Sequence, residues 1–126
     1  MFYSTKKQML ELMEEPYVLF WQSNLALLYA GNNTNLAEAL KLAEQSAMLR
    51  PCWDSYYSFG YVNYKMKNYK KAVEFFEKSV RLNSNDIKVW SFLEEIHTIL
   101  GNKEKAKECR ANMLRINPNY TKNLFL

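Results

Sequence analysis

Between Tyr69 and Leu82 the apolar side chains recur every three or four residues. Tyr69, Ala72, Val73, Phe76 and Val80 share one face, and Lys70, Lys71, Glu74 and Lys78 lie on the other. A turn of 3.6 residues brings such positions onto one stripe, so the spacing predicts an amphipathic helix. Stretches of similar length are separated by breaks at Pro16, Gly31 to Asn35, Arg50 to Trp53, Lys67-Asn68, Asn83 to Asp86, Gly101-Asn102 and Asn117 to Asn119. Helices are expected near 4–15, 17–30, 36–49, 54–67, 69–82, 87–100 and 103–116, with the tail from Asn117 starting at most one more. Asn35 followed by Glu38 has the spacing of a capping box, and Asn68, Asp86 and Asn102 are similar starting signals.

The helices come in pairs of nearly constant length, which prompts a search for repeats. Leu25, Phe59 and Leu93 are 34 residues apart, as are Ala26, Gly60 and Glu94, and Tyr56 precedes Trp90 by the same interval. Ala39, Ala72 and Ala106 match in the second helices, and Pro51, Ser84 and Pro118 follow the pairs. The chain thus resembles the tetratricopeptide-repeat family, whose pattern sets Trp, Leu, Gly and Tyr on the first helix and Ala, Phe and Pro on the second. The middle repeat fits best, with Tyr56, Phe59, Gly60, Tyr69, Ala72, Phe76 and Leu82, but it has Asn63 for the tyrosine and Ser84 for the proline. The third carries Trp90, Leu93, Gly101, Ala106, Ile116 and Pro118, with Glu94 at the small position, His97 at the tyrosine and Arg110 at the aromatic. The first has Leu25, Ala26, Tyr29, Ala39, Ala43, Leu49 and Pro51, with Gln22 where tryptophan is usual and one extra residue in its inner loop.

The resemblance implies an all-α, right-handed α-solenoid of three helix-turn-helix repeats. Its expected divisions are a capping helix over 1–15, repeats over 16–52, 53–86 and 87–118, and a tail or capping start over 119–126. Small residues at Ala26 and Gly60 allow paired helices to approach closely. Glu94 breaks that rule, so the third repeat is expected to open slightly or to present the carboxylate at an edge.

Composition narrows the function. Apolar residues at 48% and charged residues at 24% are globular values, and 126 residues suit one domain. The 15% aromatic content, with nine tyrosines, exceeds what a helical core of this size usually needs, so some aromatics are expected to face a partner. The net charge of +4 is spread among 13 acidic and 17 basic residues, a mild background. Cys52 and Cys109 lack metal or redox spacing and read as free thiols. No stretch reaches the ~20 apolar residues of a membrane span, and the N-terminus lacks the apolar core of a signal peptide, so an intracellular, cytoplasmic setting is expected. The sequons at Asn32 and Asn119 carry little weight beside that.

In the family the first helix of each pair lines a concave face. The residues the resemblance places there are Phe20, Ser23, Asn24 and Leu27, then Asp54, Tyr57, Ser58, Tyr61, Tyr64 and Lys65, then Lys88, Ser91, Phe92 and Glu95. Tyr57, Tyr61 and Tyr64 form one stripe that either holds a partner or is covered by the chain's own N-terminal helix, its C-terminal tail or a second copy. A carboxylate-clamp subtype needs basic and amide side chains at Ser23, Leu27, Ser58, Lys88 and Phe92, and only Lys88 has that chemistry. The expected function is therefore a non-catalytic adaptor for an extended or helical protein segment, without cofactor or metal. A self-associating scaffold or chaperone subunit, joined through apolar ends such as Phe2, Tyr3 and Leu124 to Leu126, is the alternative. A basic edge of Lys65, Lys67, Lys70 and Lys71 offers weak nucleic-acid binding as an alternative of another class. His97, beside Glu94 and Glu95, and Cys52, at a helix start, are the candidate catalytic groups; a histidine so placed on a repeat helix reads as a structural or surface residue, and no base is identifiable near Cys52.

Overall fold

The computed structural model describes the backbone of residues 15–120 and the side chains of 21–120. Six helices follow one another: α1 (Glu15–Gly31), α2 (Leu36–Leu49), α3 (Trp53–Lys65), α4 (Tyr69–Leu82), α5 (Ile87–Ile99) and α6 (Lys103–Ile116). No strand occurs among the described residues. Each helix lies within about two residues of its expected place, apart from the expected helix over 4–15, which falls outside the described residues. Pro16 does not break the chain but sits in the first turn of α1, where its missing N–H is no loss.

The repeat is written in the backbone as well as in the side chains. Asn33, Lys67 and Gly101, 34 residues apart, all take positive φ, at 52°, 63° and 80°. Each is the left-handed residue that stops the first helix of a pair. Around it the N–H of Asn33, Lys67 and Gly101 donates to the carbonyls of Ala30, Tyr64 and Thr98, and the next N–H donates to Tyr29, Asn63 and His97. That two-bond pattern satisfies carbonyls left over at a helix end. The extra residue of the first repeat is Thr34, between Asn33 and the helix-start residue Asn35, which is itself left-handed at φ 49°.

The capping expectation fails in detail. Asn35, Asn68, Asp86 and Asn102 stand at helix starts, but none makes a side-chain cap bond. Asn35 has the wrong backbone for it, since a capping residue takes extended angles. Asn68 and Asn102 spend their amides backwards, on Asn63 Oδ1 and His97 Nδ1, both at 3.4 Å. Asn63 and His97, which replace the family's tyrosine, are each 3% exposed. The start that carries a reciprocal cap is α3, where Cys52 and Ser55 serve each other's backbone.

Within each pair one contact sets how closely the helices lie. In the middle pair Gly60 faces Phe76, and a Cβ at Gly60 would lie 2.7 Å from the Phe76 ring. The equivalent residues in the first pair are Ala26 and Ala43, both fully buried. In the last pair they are Glu94 and Arg110, joined by an ion pair at 3.2 Å. The expectation that Glu94 would gape or stand at an edge is corrected: its side chain is 15% exposed and answered by the arginine that replaces the aromatic.

The core falls into two clusters. The first is alanine-rich, with Ala26, Ala30, Ala39, Leu42, Ala43 and Ala47 meeting Phe59 and Val62. The second joins Ala72, Phe76 and Val80 to Val89, Leu93, Ile96 and Cys109. Tyr61 packs against both. Small polar residues complete the joints: the Ser23 and Ser46 hydroxyls share a hydrogen bond at 2.6 Å, and the Ser79 hydroxyl donates to the Trp53 carbonyl at 2.8 Å.

Candidate functional site

Helix α3 places Tyr57, Tyr61 and Tyr64 three and four residues apart, so their rings line up along one face. Tyr57 and Tyr61 stack at 5.9 Å between centroids, and Tyr61 and Tyr64 at 6.2 Å. Phe92 of α5 meets all three, at 6.4, 5.7 and 4.9 Å, and stacks on buried Phe76 at 5.4 Å. The result is a continuous aromatic wall running from the core to the surface between two first helices. All four of these wall residues are half-buried. Ring-against-ring contact fixes the side chains before any ligand arrives.

Charge is distributed unevenly along the wall. The Lys88 ammonium sits 4.2 Å from the centre of the Tyr57 ring. Burial, then the neighbouring Tyr61 and Asp86, raises the Tyr57 phenol above its ordinary range. Tyr64 is raised too, first by burial and then by hydrogen bonding and charge from Glu95. The Glu95 Oε2 atom is buried and has no hydrogen-bond partner among the described residues.

Other expected face residues behave differently. Asn24 and Lys88 are exposed, and Leu27, Lys65 and Glu95 are half-buried. Ser58 is a correction: at 1% exposure it lies inside the hairpin and donates to the Asp54 carbonyl at 3.0 Å. Ser23 is likewise buried against Ser46. Both follow from helix geometry, because a small hydroxyl beside the packing stripe can return its proton within the pair. Asp54 turns to its own turn, with Arg50 at 3.3 Å and the Cys52 thiol donating to it. Burial alone would raise that carboxyl, but the thiol, the guanidinium and the Ser55 N–H together hold it below its usual value. Phe20 lies outside the described side chains.

Along the basic edge, Lys67 and Lys70 are exposed, Lys65 is half-buried and Lys71 lies 5.7 Å from the Phe75 ring centre. His97 is buried beside a cleft of about 230 Å³ bounded by α4, α5 and α6, with Glu77, Lys105, Glu108 and Cys109 around it. Burial lowers its pKa, with Lys105 acting in the same sense and Glu77 and Glu108 opposing. Burial, aided by Glu94, Glu77 and Glu108, pushes the Cys109 thiol up to about 11, which leaves it a poor nucleophile. Among the described residues no three His, Cys, Asp or Glu side chains gather to hold a metal, and no helix is long and apolar enough to cross a membrane.

Sequence reasoning found the tyrosine stripe but missed two pairings. Glu94–Arg110 was visible as two departures at partner positions, 34 residues beyond Gly60 and Phe76. The anchoring of the stripe by Phe92 had no signal of its own, since periodicity assigns a residue to a face but not to a neighbour.

These features define a helical-repeat solenoid with a preformed aromatic face. Residues 54–86 match the family model of the tetratricopeptide repeat. The fold is similar to the crystal structure of MamA, with a TM-score of 0.80 and 18% identity, over 93% of this chain and 67% of that one. Human protein O-mannosyl-transferase TMTC3 is 33% identical over 104 residues, which are 81% of this chain and 11% of that protein. The chain therefore spans about 11% of the length of that curated relative. Residues 54–86 thus carry a tetratricopeptide repeat, set in a solenoid of the kind that serves as a protein-interaction module.

Proposed function

We propose that the chain holds an extended or helical segment of a partner protein against the wall formed by Tyr57, Tyr61, Tyr64 and Phe92, and that it performs no catalysis of its own. The observation carrying this reading is the set of ring contacts at 4.9 to 6.4 Å that fixes four aromatics in one half-buried surface. Rigid aromatics supply broad contact area at little cost in side-chain freedom, which is why they anchor recognition surfaces. A carboxylate clamp is disfavoured, because Ser23 and Ser58 are buried and Lys88 is drawn onto Tyr57. Partner capture from photo-crosslinking residues placed at Asn24 or Lys65, absent from a control at exposed Lys107 and abolished by Tyr61→Ala, is the expected result. Equal capture from Lys107 would sink the assignment.

Self-association has its own support. Ile99 is 53% exposed, and Leu100 and Leu114 are each 40% exposed on the last hairpin. A second copy stacked there would continue the solenoid. Light scattering that shows concentration-dependent growth, reversed by Ile99→Glu, would favour it.

A further inference from the structure

The acidic group at the α5 end of the wall sets the chemistry of what binds there. The Glu95 carboxylate interacts with the Tyr64 hydroxyl, but its Oε2 atom is buried without a hydrogen-bond partner among the described residues. A carboxylate oxygen withdrawn from water and left unanswered costs free energy that an incoming donor recovers. Asp54 and Glu94 are already paired with Arg50 and Arg110. The wall's affinity for cations is also on view within the chain, since the Lys88 ammonium rests on its Tyr57 end. Among the described residues no cation lies over Tyr61, Tyr64 or Phe92.

We propose that the Glu95 end of the wall receives the guanidinium of an arginine on the bound protein segment, stacked on Tyr64 and paired with the Glu95 carboxylate. This rests on the groove reading above. Arginine fits better than lysine for three reasons. Its plane lies flat on an aromatic ring, its fork matches a carboxylate, and it gives up its hydration more easily than a compact ammonium. Glu95 would then be a specificity residue, costly in the free chain and satisfied in the complex.

The test begins by selecting random nine-residue peptides displayed on phage against the full chain. The best peptides are then measured by fluorescence anisotropy with wild type, Tyr61→Ala and Glu95→Gln. The expected result is an arginine at one fixed peptide position. Replacing it with citrulline, which keeps the shape and removes the charge, should weaken binding roughly ten- to hundredfold. Glu95→Gln should cost a similar factor, with no further loss when the two changes are combined, and its thermal midpoint should equal or exceed that of wild type. Peptides that need Tyr61 yet bind Glu95→Gln and the citrulline form equally well overturn the arginine pairing and leave the groove reading standing. Failure to select any Tyr61-dependent peptide removes both. A dimer of the chain that Glu95→Gln dissociates gives the face to a second copy and also overturns the proposal.

Discussion

Asn33, Lys67 and Gly101 do the same work in the backbone, but only the last is a glycine. A left-handed residue with a Cβ costs about 1–2 kcal/mol, and glycine's greater freedom in the unfolded chain offsets part of the gain from removing it. Lys67→Gly should therefore stabilise the fold by about 0.5–1 kcal/mol, read as a higher urea midpoint at unchanged slope. Gly60→Ala should do the opposite despite alanine's better helix propensity. Its new methyl would sit 2.7 Å from the fully buried Phe76 ring. Overpacking of this kind costs about 1–3 kcal/mol, and a smaller partner, Phe76→Leu, should relieve much of it. His97 adds a pH dependence. Burial depresses its folded pKa below 6.5, so protons bind the unfolded chain more readily. Stability is full above about pH 6.5 and is lost as pH falls towards the depressed folded value. Thermal melts between pH 7.5 and 5.5 should show this decline, and His97→Gln should flatten it.

At the scale of the hairpin, each repeat solves one problem with a different pair of residues. Ala26 with Ala43, Gly60 with Phe76 and Glu94 with Arg110 occupy the same junction between first and second helix. The ion pair is half-shielded, so losing Arg110 leaves a largely covered carboxylate without its partner. Arg110→Ala should cost about 1–2 kcal/mol, less than for a deeply buried pair. Substituting both members together, Glu94→Gly with Arg110→Phe, imports the middle repeat's solution and should recover most of the loss in a double-mutant cycle. Helix positions, the 34-residue period and the tyrosine stripe were legible because they rest on periodicity, which a sequence states directly. Side-chain partners were less so. Asn68 and Asn102 looked like caps, but a buried amide or imidazole from the preceding helix competes for the same side chain. Ser58 and Ser23 looked exposed because a helix stripe does not reveal where the neighbouring helix ends.

Across the whole molecule the hairpins are not equally well held. The two core clusters meet at Tyr61 on α3, so the middle hairpin is supported from both sides. Helix α6 buries only Cys109 and Met113, whereas α4 buries Ala72, Phe76, Ser79 and Val80. In a stack where each repeat touches its neighbours alone, stability is the sum of each unit and its junctions, so a helix that buries less is held less firmly. Helix α6 should thus open on its own, at lower free energy than α3 and α4. Hydrogen exchange under native conditions should show its amides exchanging first, with α3 and α4 protected up to global unfolding. If Arg110 closes the last junction, Arg110→Ala should hasten exchange in α6 and leave the middle hairpin little changed. Uniform acceleration of all six helices would instead mean that the solenoid unfolds as one cooperative unit, with the graded core having no energetic consequence.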